Sequence, residues 1–344
     1  MNSTRNLSAD ALQSTLTTAI SFISTIINLL GFYIIVMQKT RENRSFTLVQ
    51  LLYQVMLYLS QLYGGTVLNM VFLFPIPGVY CIGWLRDLET GVPALISFIV
   101  FDVLFSFQGL LIVAMVIIRV GAIARTHSPF KLSQNKQILF LLSLFFVFLA
   151  TQVSVLIATY SNRSEVEVYV SVEHPKMLFL LRYPFLWMLT STRHFVALLG
   201  NIFMCIGIIF IIFMIGYVIL LFELNLQVNS MSRANNIYQR RMLREFFLHS
   251  CIILPFFILV PLVMVVKFFL DEDIDVSILT AIAFSFFASA PIFSMLVFIL
   301  KNPMYRAFIL KFISIPCQRR AEVAPVVSSN FVVSRISGEV VARR

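Results

Sequence analysis

Seven times along the chain an apolar run long enough to cross a bilayer is closed by a short polar segment. A helix needs about 20 apolar residues to span the hydrocarbon layer. Runs of that order occupy residues 11–37, 46–74, 92–119, 137–160, 195–222, 246–266 and 276–300. The third is the least interrupted: Asp102 is its one charge before Arg119 closes it. A carboxylate inside a span is costly and normally faces a protein interior or a water-filled cavity. The other spans are therefore read as packing around this one.

The remaining polar positions separate the spans from one another. Asn28 is the strong polar group of span one, placed to pack against a neighbouring helix or to touch a ligand. Span two is the most polar, and its Gln50, Gln54 and Gln61 share one helical face. They act either as hydrogen-bonding glue between helices or as a polar cavity wall. Pro255 and Pro261 kink span six and free backbone carbonyls. Span two ends at the breaker cluster Pro75-Ile76-Pro77-Gly78. The long connection 161–194 contains an apolar stretch, 177–190, broken by Arg182 and Pro184. It is too short to count as a span, and lies on the membrane interface or covers the bundle.

Composition agrees. The chain is 59% hydrophobic and only 12% charged, about half the charge of a soluble domain. A net charge of +10 does not point to nucleic acid, because the basic residues sit in loops between spans. There they set orientation, since cytoplasmic loops carry the Lys and Arg excess. With the N-terminus outside, nineteen Lys and Arg fall inside and seven outside. The sequons at Asn2, Asn6 and Asn162 then lie outside, where glycosylation occurs, whereas Asn43 lies inside. The expected fold is an all-α membrane protein, a seven-transmembrane helix bundle with its N-terminus outside and its C-terminus inside. Residues 1–10 form the extracellular N-terminus and 11–300 the bundle. Residues 301–320 form a membrane-proximal helix, and 321–344 a disordered, serine-bearing cytoplasmic tail. No cleavable signal peptide is expected.

Cys81, Cys205, Cys251 and Cys317 are too scattered for a disulfide scaffold or a zinc site, and the four histidines show no metal-ligand spacing. No metal or cofactor is expected. Cys317, beside Arg319 and Arg320, is a palmitoylation candidate or a free thiol. A membrane enzyme would need a catalytic constellation, and the embedded candidates Asp102 and His249 belong to opposite halves.

Four stretches carry a resemblance that covers about residues 15–315. They are Phe74-Pro75-Ile76-Pro77-Gly78-Val79-Tyr80-Cys81-Ile82-Gly83, Glu173-His174-Pro175, Gln239-Arg240-Arg241-Met242-Leu243 leading to Pro255, and Pro303-Met304-Tyr305-Arg306. Together they resemble the nematode serpentine chemoreceptors of the Str superfamily, nearest the Srh and Sri families. Ile117-Ile118-Arg119 stands where rhodopsin-type receptors carry an acidic-Arg-aromatic triplet, and the long outer loop has no Cys to bridge Cys81.

The resemblance implies a plasma-membrane G-protein-coupled receptor, sited at a sensory cilium, that detects an external odorant, tastant or pheromone. Its partners would be a small-molecule ligand, a heterotrimeric G protein and arrestin. Asp102 lies 17 residues before Arg119, about 25 Å along the helix, and so in the outer half. It is the leading ligand contact, with Gln54 and Gln61; otherwise it is satisfied by those glutamines or protonated. Arg119, Arg240, Arg241, Arg244, Tyr305 and Arg306 are expected to face the G protein. The alternative is a seven-span ligand-gated channel or transporter. A transporter would show internal repeats, and none is found.

Overall fold

The computed structural model describes residues 7–37, 44–73, 78–87, 92–228, 230–269, 277–302 and 304–310. The glycosylation candidates Asn2 and Asn6, the palmitoylation candidate Cys317 and the C-terminal tail lie outside these residues.

Helix α1 spans Leu7–Met37 and α2 spans Arg44–Leu62. Helix α2 does not run to residue 74, as the apolar pattern predicts. It loosens into a π-helical turn over Tyr63–Leu68 and then becomes strand β1, Met70–Leu73. Two local causes converge. Gly64-Gly65 weakens the helix, and Asn69 takes a left-handed conformation with φ 42°, which Asn tolerates and most residues do not. Gly64 also lets α3 approach closely: a Cβ there would meet the Phe101 ring at 2.7 Å.

Strand β2, Gly78–Cys81, pairs antiparallel with β1, placing Met70 opposite Cys81. After α3 (Val92–Ile123) and α4 (Gln134–Ala158), the long outer segment folds into α5 (Arg163–Glu173) and a 3₁₀ helix (Pro175–Arg182). Strand β3, Leu186–Met188, then joins the other edge of β2 with Val79 opposite Trp187. The segment expected to lie on the interface or cover the bundle thus adds a small antiparallel sheet to an otherwise helical architecture. Tyr80, Leu186 and Met188 on the sheet face turned away from the bundle are buried together with Val166 and Val170 of α5 and Leu180. No disulfide holds this cover; Cys81 is a buried free thiol.

Helix α6 spans Thr192–Leu226, α7 Arg233–Phe269, α8 Ser277–Ala288 and α9 Ala290–Lys301. Helices α8 and α9 are one span broken at Ser289, one residue before Ala290-Pro291, where proline is well placed in the first turn. Six spans pass as helices long and apolar enough to cross a membrane. The seventh, α2, is the one rich in glutamine.

Helix α3 packs against α2, α4 and α6, while α1 packs against α2, α8 and α9 and α7 closes the ring between α6 and the α8–α9 pair. At Gly216 of α6 a Cβ would collide with Val116 of α3, so the two backbones approach as closely as small residues allow. Helix α4 buries only a stripe, Phe148, Gln152 and Leu156, one turn apart. Its outward Leu139, Phe146 and Val147 are exposed. Apolar outward faces of this kind suit hydrocarbon, not water.

Candidate functional site

Under the sheet lies a cavity of about 220 Å³. Met70 and Val79 roof it, together with Trp187 on β3. Helix α3 contributes Phe98, Phe101, Asp102 and Phe105, and α7 contributes Phe257, Val260, Pro261 and Met264. The wall is nearly all carbon and strongly aromatic. Phe98 meets Trp187 edge-on with ring centroids 3.9 Å apart, and Phe105 meets Phe257 at 5.5 Å. Such edge-to-face pairs are favourable and hold ring positions.

Three polar side chains break this wall: Gln152, whose Oε1 accepts from Asn201 Nδ2 at 2.7 Å, Asp102 and Trp187. Asp102 Oδ2 and Trp187 Nε1 are both buried and have no hydrogen-bond partner among the described residues. Leaving a buried donor or acceptor unmade costs about 1–3 kcal/mol, so a ligand supplying the missing partners gains what the empty fold forgoes. One atom accepts and the other donates. A ligand hydroxyl can answer either. Trp187 is absent from the sequence reading because the stretch around it reads as a short apolar segment, and its pairing with β2 is a tertiary event.

Gln54 and Gln61 do not line this cavity. Gln54 Nε2 donates to Ser294 Oγ at 2.6 Å, joining α2 to α9, and Gln61 Nε2 donates to Ser21 Oγ at 2.7 Å, joining α2 to α1. Neither satisfies Asp102. Asn28 is wholly buried and bonds within its own helix to Ser24. Of the polar residues proposed from the sequence as ligand contacts, the cavity holds Asp102.

The half of the bundle away from the sheet is tied differently. His249 Nε2 lies 3.1 Å from Ser294 Oγ, so one hydroxyl joins α2, α7 and α9. One helical turn further in, Lys301 Nζ donates to the Glu245 carbonyl, again joining α9 to α7. Arg119 sits with its guanidinium 3.7 Å from the centroid of the Phe46 ring, a cation–π arrangement. Phe46 in turn packs edge-on against Phe246.

Six residues after Arg119, Arg125 meets a buried carboxylate. Arg125 Nε pairs with Glu223 Oε2 at 3.2 Å, and Ser128 Oγ donates to Glu223 Oε1 at 2.6 Å. Gln227 Nε2 donates to the Ile123 carbonyl at 2.6 Å beside it. Glu223 falls in a loop by hydropathy, yet it occupies the last turn of α6 and is 1% exposed.

Among the inner-side candidates, Arg240, Arg241, Arg244 and Arg306 are exposed. Arg241 pairs with Glu245 at 2.8 Å, and Arg240 reaches Asn225 Oδ1 at 2.6 Å. Tyr305 is not on the surface. It is 1% exposed among Ile34, Ile35 and Met295, against Phe298, because residues 304–310 continue as a helix folded onto the bundle.

The family model described as serpentine type 7TM GPCR chemoreceptor Srh matches residues 8–315. No curated protein matches the chain.

Proposed function

The chain belongs to the Srh family of serpentine seven-span chemoreceptors, and from that membership we propose that it detects a small, largely apolar external molecule bearing a hydroxyl or amine, and signals through a heterotrimeric G protein. The observation that carries this reading is the pair of unpartnered polar atoms, Asp102 Oδ2 and Trp187 Nε1, on the wall of one aromatic cavity. A cavity of about 220 Å³ lies below the range that accommodates drug-sized ligands. It suits a volatile cue.

The proposed orientation places this cavity and the sheet on the outside and the basic helix ends inside, at the plasma membrane of a sensory cell or its cilium. The ligand would touch α7 at Val260, Pro261 and Met264. Pro255 lies between that contact and the inner bonds from His249 and Glu245. A ligand that binds one arrangement of α7 more tightly shifts the population toward it by its differential affinity. Opening would release Lys301 from Glu245 and His249 from Ser294. It would expose a cleft lined by Arg240, Arg241 and Arg244 to the G protein, and later to arrestin. Arg119 and Tyr305 would become available only in that opened state. Gln54 and Gln61 are assigned to holding helices together.

The test is a G-protein reporter screen of short-chain alcohols and amines on cells displaying the receptor. With an agonist in hand, Asp102→Asn and Trp187→Phe should each raise the half-maximal concentration about ten-fold, the loss of one buried hydrogen bond, at equal surface display. An agonist whose potency neither change affects would remove the cavity from the mechanism.

A further inference from the structure

A second cavity, of about 630 Å³, lies at mid-bundle between α3, α4, α6 and α7, with Tyr53 of α2 on its wall. Its lining includes Phe210 of α6 and Cys251 and Leu262 of α7, all of them exposed on the outer surface of the bundle. Its mouth is therefore the gap between α6 and α7, at a depth where the surroundings are lipid tails.

The interior carries an unanswered polar atom. Gln108 lines the cavity and is 2% exposed, and its Oε1 has no hydrogen-bond partner among the described residues. Its orientation is set by its neighbour: Ser60 Oγ already donates to the Met56 carbonyl at 2.8 Å, so it can only accept. Gln108 must present Nε2 to Ser60 and leave the carbonyl oxygen unpaired. Gln108 lies 11 residues before Arg119, about 16 Å deeper along the helix. A phospholipid headgroup stays at the interface and does not reach that depth.

We propose that this cavity is a lipid-accessible site for a single-chain amphiphile whose head donates a hydrogen bond, of the class of fatty alcohols and protonated fatty acids. The molecule enters from the bilayer between α6 and α7, lays its chain in the apolar cavity and donates its hydroxyl to Gln108 Oε1. The site adjoins the outer cavity, with which it shares the walls of Phe105, Gln152 and Phe257, but the proposal does not depend on which cue that cavity takes.

The test uses the full-length receptor in phosphatidylcholine nanodiscs with two alkyne-tagged photoreactive probes, a fatty alcohol and its methyl ether, which cannot donate. The alcohol is expected to label α3, α6 and α7 saturably, with competition by untagged alcohol, and about ten-fold more than the ether. Gln108→Met should abolish that preference. Ile206→Trp, which fills the cavity, should abolish the saturable label in protein that still elutes as a single species. Ser250→Phe, on the opposite wall, serves if that variant does not fold. Non-saturable labelling, equal for both probes and unchanged by filling, would show ordinary annular lipid and overturn the site. Saturable labelling without alcohol preference would overturn the role of Gln108.

Discussion

Glu223, in the last turn of α6, holds Arg125 and Ser128 from the end of α3 through one buried carboxylate. It ties the last turn of α6 to the segment that follows α3. A hydrogen-bonded charge buried at one end contributes more than an exposed pair, and truncating it leaves its partners unmet. Glu223→Ala is expected to lower stability by about 1–3 kcal/mol and to raise agonist-independent reporter signal. Melting of the purified protein and basal reporter output check both. Glu223→Arg with Arg125→Glu should recover part of the loss, and an unrecovered double variant would mean that Ser128 and the backbone carry the contact.

Ser294 is the single hydroxyl shared by Gln54 and His249, and it is completely buried. Ser294→Ala strands two polar side chains at once. The expected result is a loss of about 2 kcal/mol or more together with raised basal signalling, since α7 loses a tie to α9. Thermal melting and the same reporter read the two effects; normal melting with normal basal output would reduce Ser294 to a bystander.

Burial pushes the Cys81 thiol up from its ordinary value. Below about pH 8.5, the usual cysteine pKa, the thiol is protonated in the folded and unfolded chains alike, so burial makes no pH-dependent difference. Above it the unfolded chain loses the proton and the folded chain keeps it, so stability falls as pH rises. Cys81→Val should flatten the alkaline arm of a melting-temperature profile between about pH 8.5 and 10. In the native protein a membrane-impermeant maleimide should not label Cys81 until the sheet is unfolded.

Asn162 is both a sequon and the N-cap of α5: its side chain accepts from the Glu165 backbone at 2.9 Å in a reciprocal capping box. Asp caps as well as Asn, and Ala does not, at a cost of about 1 kcal/mol. Asn162→Asp should therefore lose any glycosidase-sensitive mobility shift while keeping stability, and Asn162→Ala should lose both. A shift at Asn162 places the long segment outside. A shift at Asn43 alone would reverse the orientation.

Hydropathy made the seven spans legible, because a bilayer demands the same length and apolarity of every crossing. It placed Asp102 in the outer half by counting residues along one helix. It did not reveal where α2 stops, since Thr66, Val67, Val71 and Phe72 are as apolar in a strand as in a helix; the turn was marked only by Gly64-Gly65 and Asn69. Glu223 was hidden for a related reason: a charge after an apolar run reads as a loop whether it faces water or a buried arginine.

What the sequence determined alone is whatever depends on one segment and the membrane: the number of crossings and the charge asymmetry that argues for an orientation. Tertiary structure decided which polar groups meet. Gln54 and Gln61 share a helical face with no sign of their partners, which lie on α9 and α1, and Trp187 reaches the cavity of Asp102 only because β3 pairs with β2 across more than a hundred residues. A hydrogen bond is short-ranged and directional, so its partner is chosen by packing in three dimensions, which no periodicity along one chain encodes.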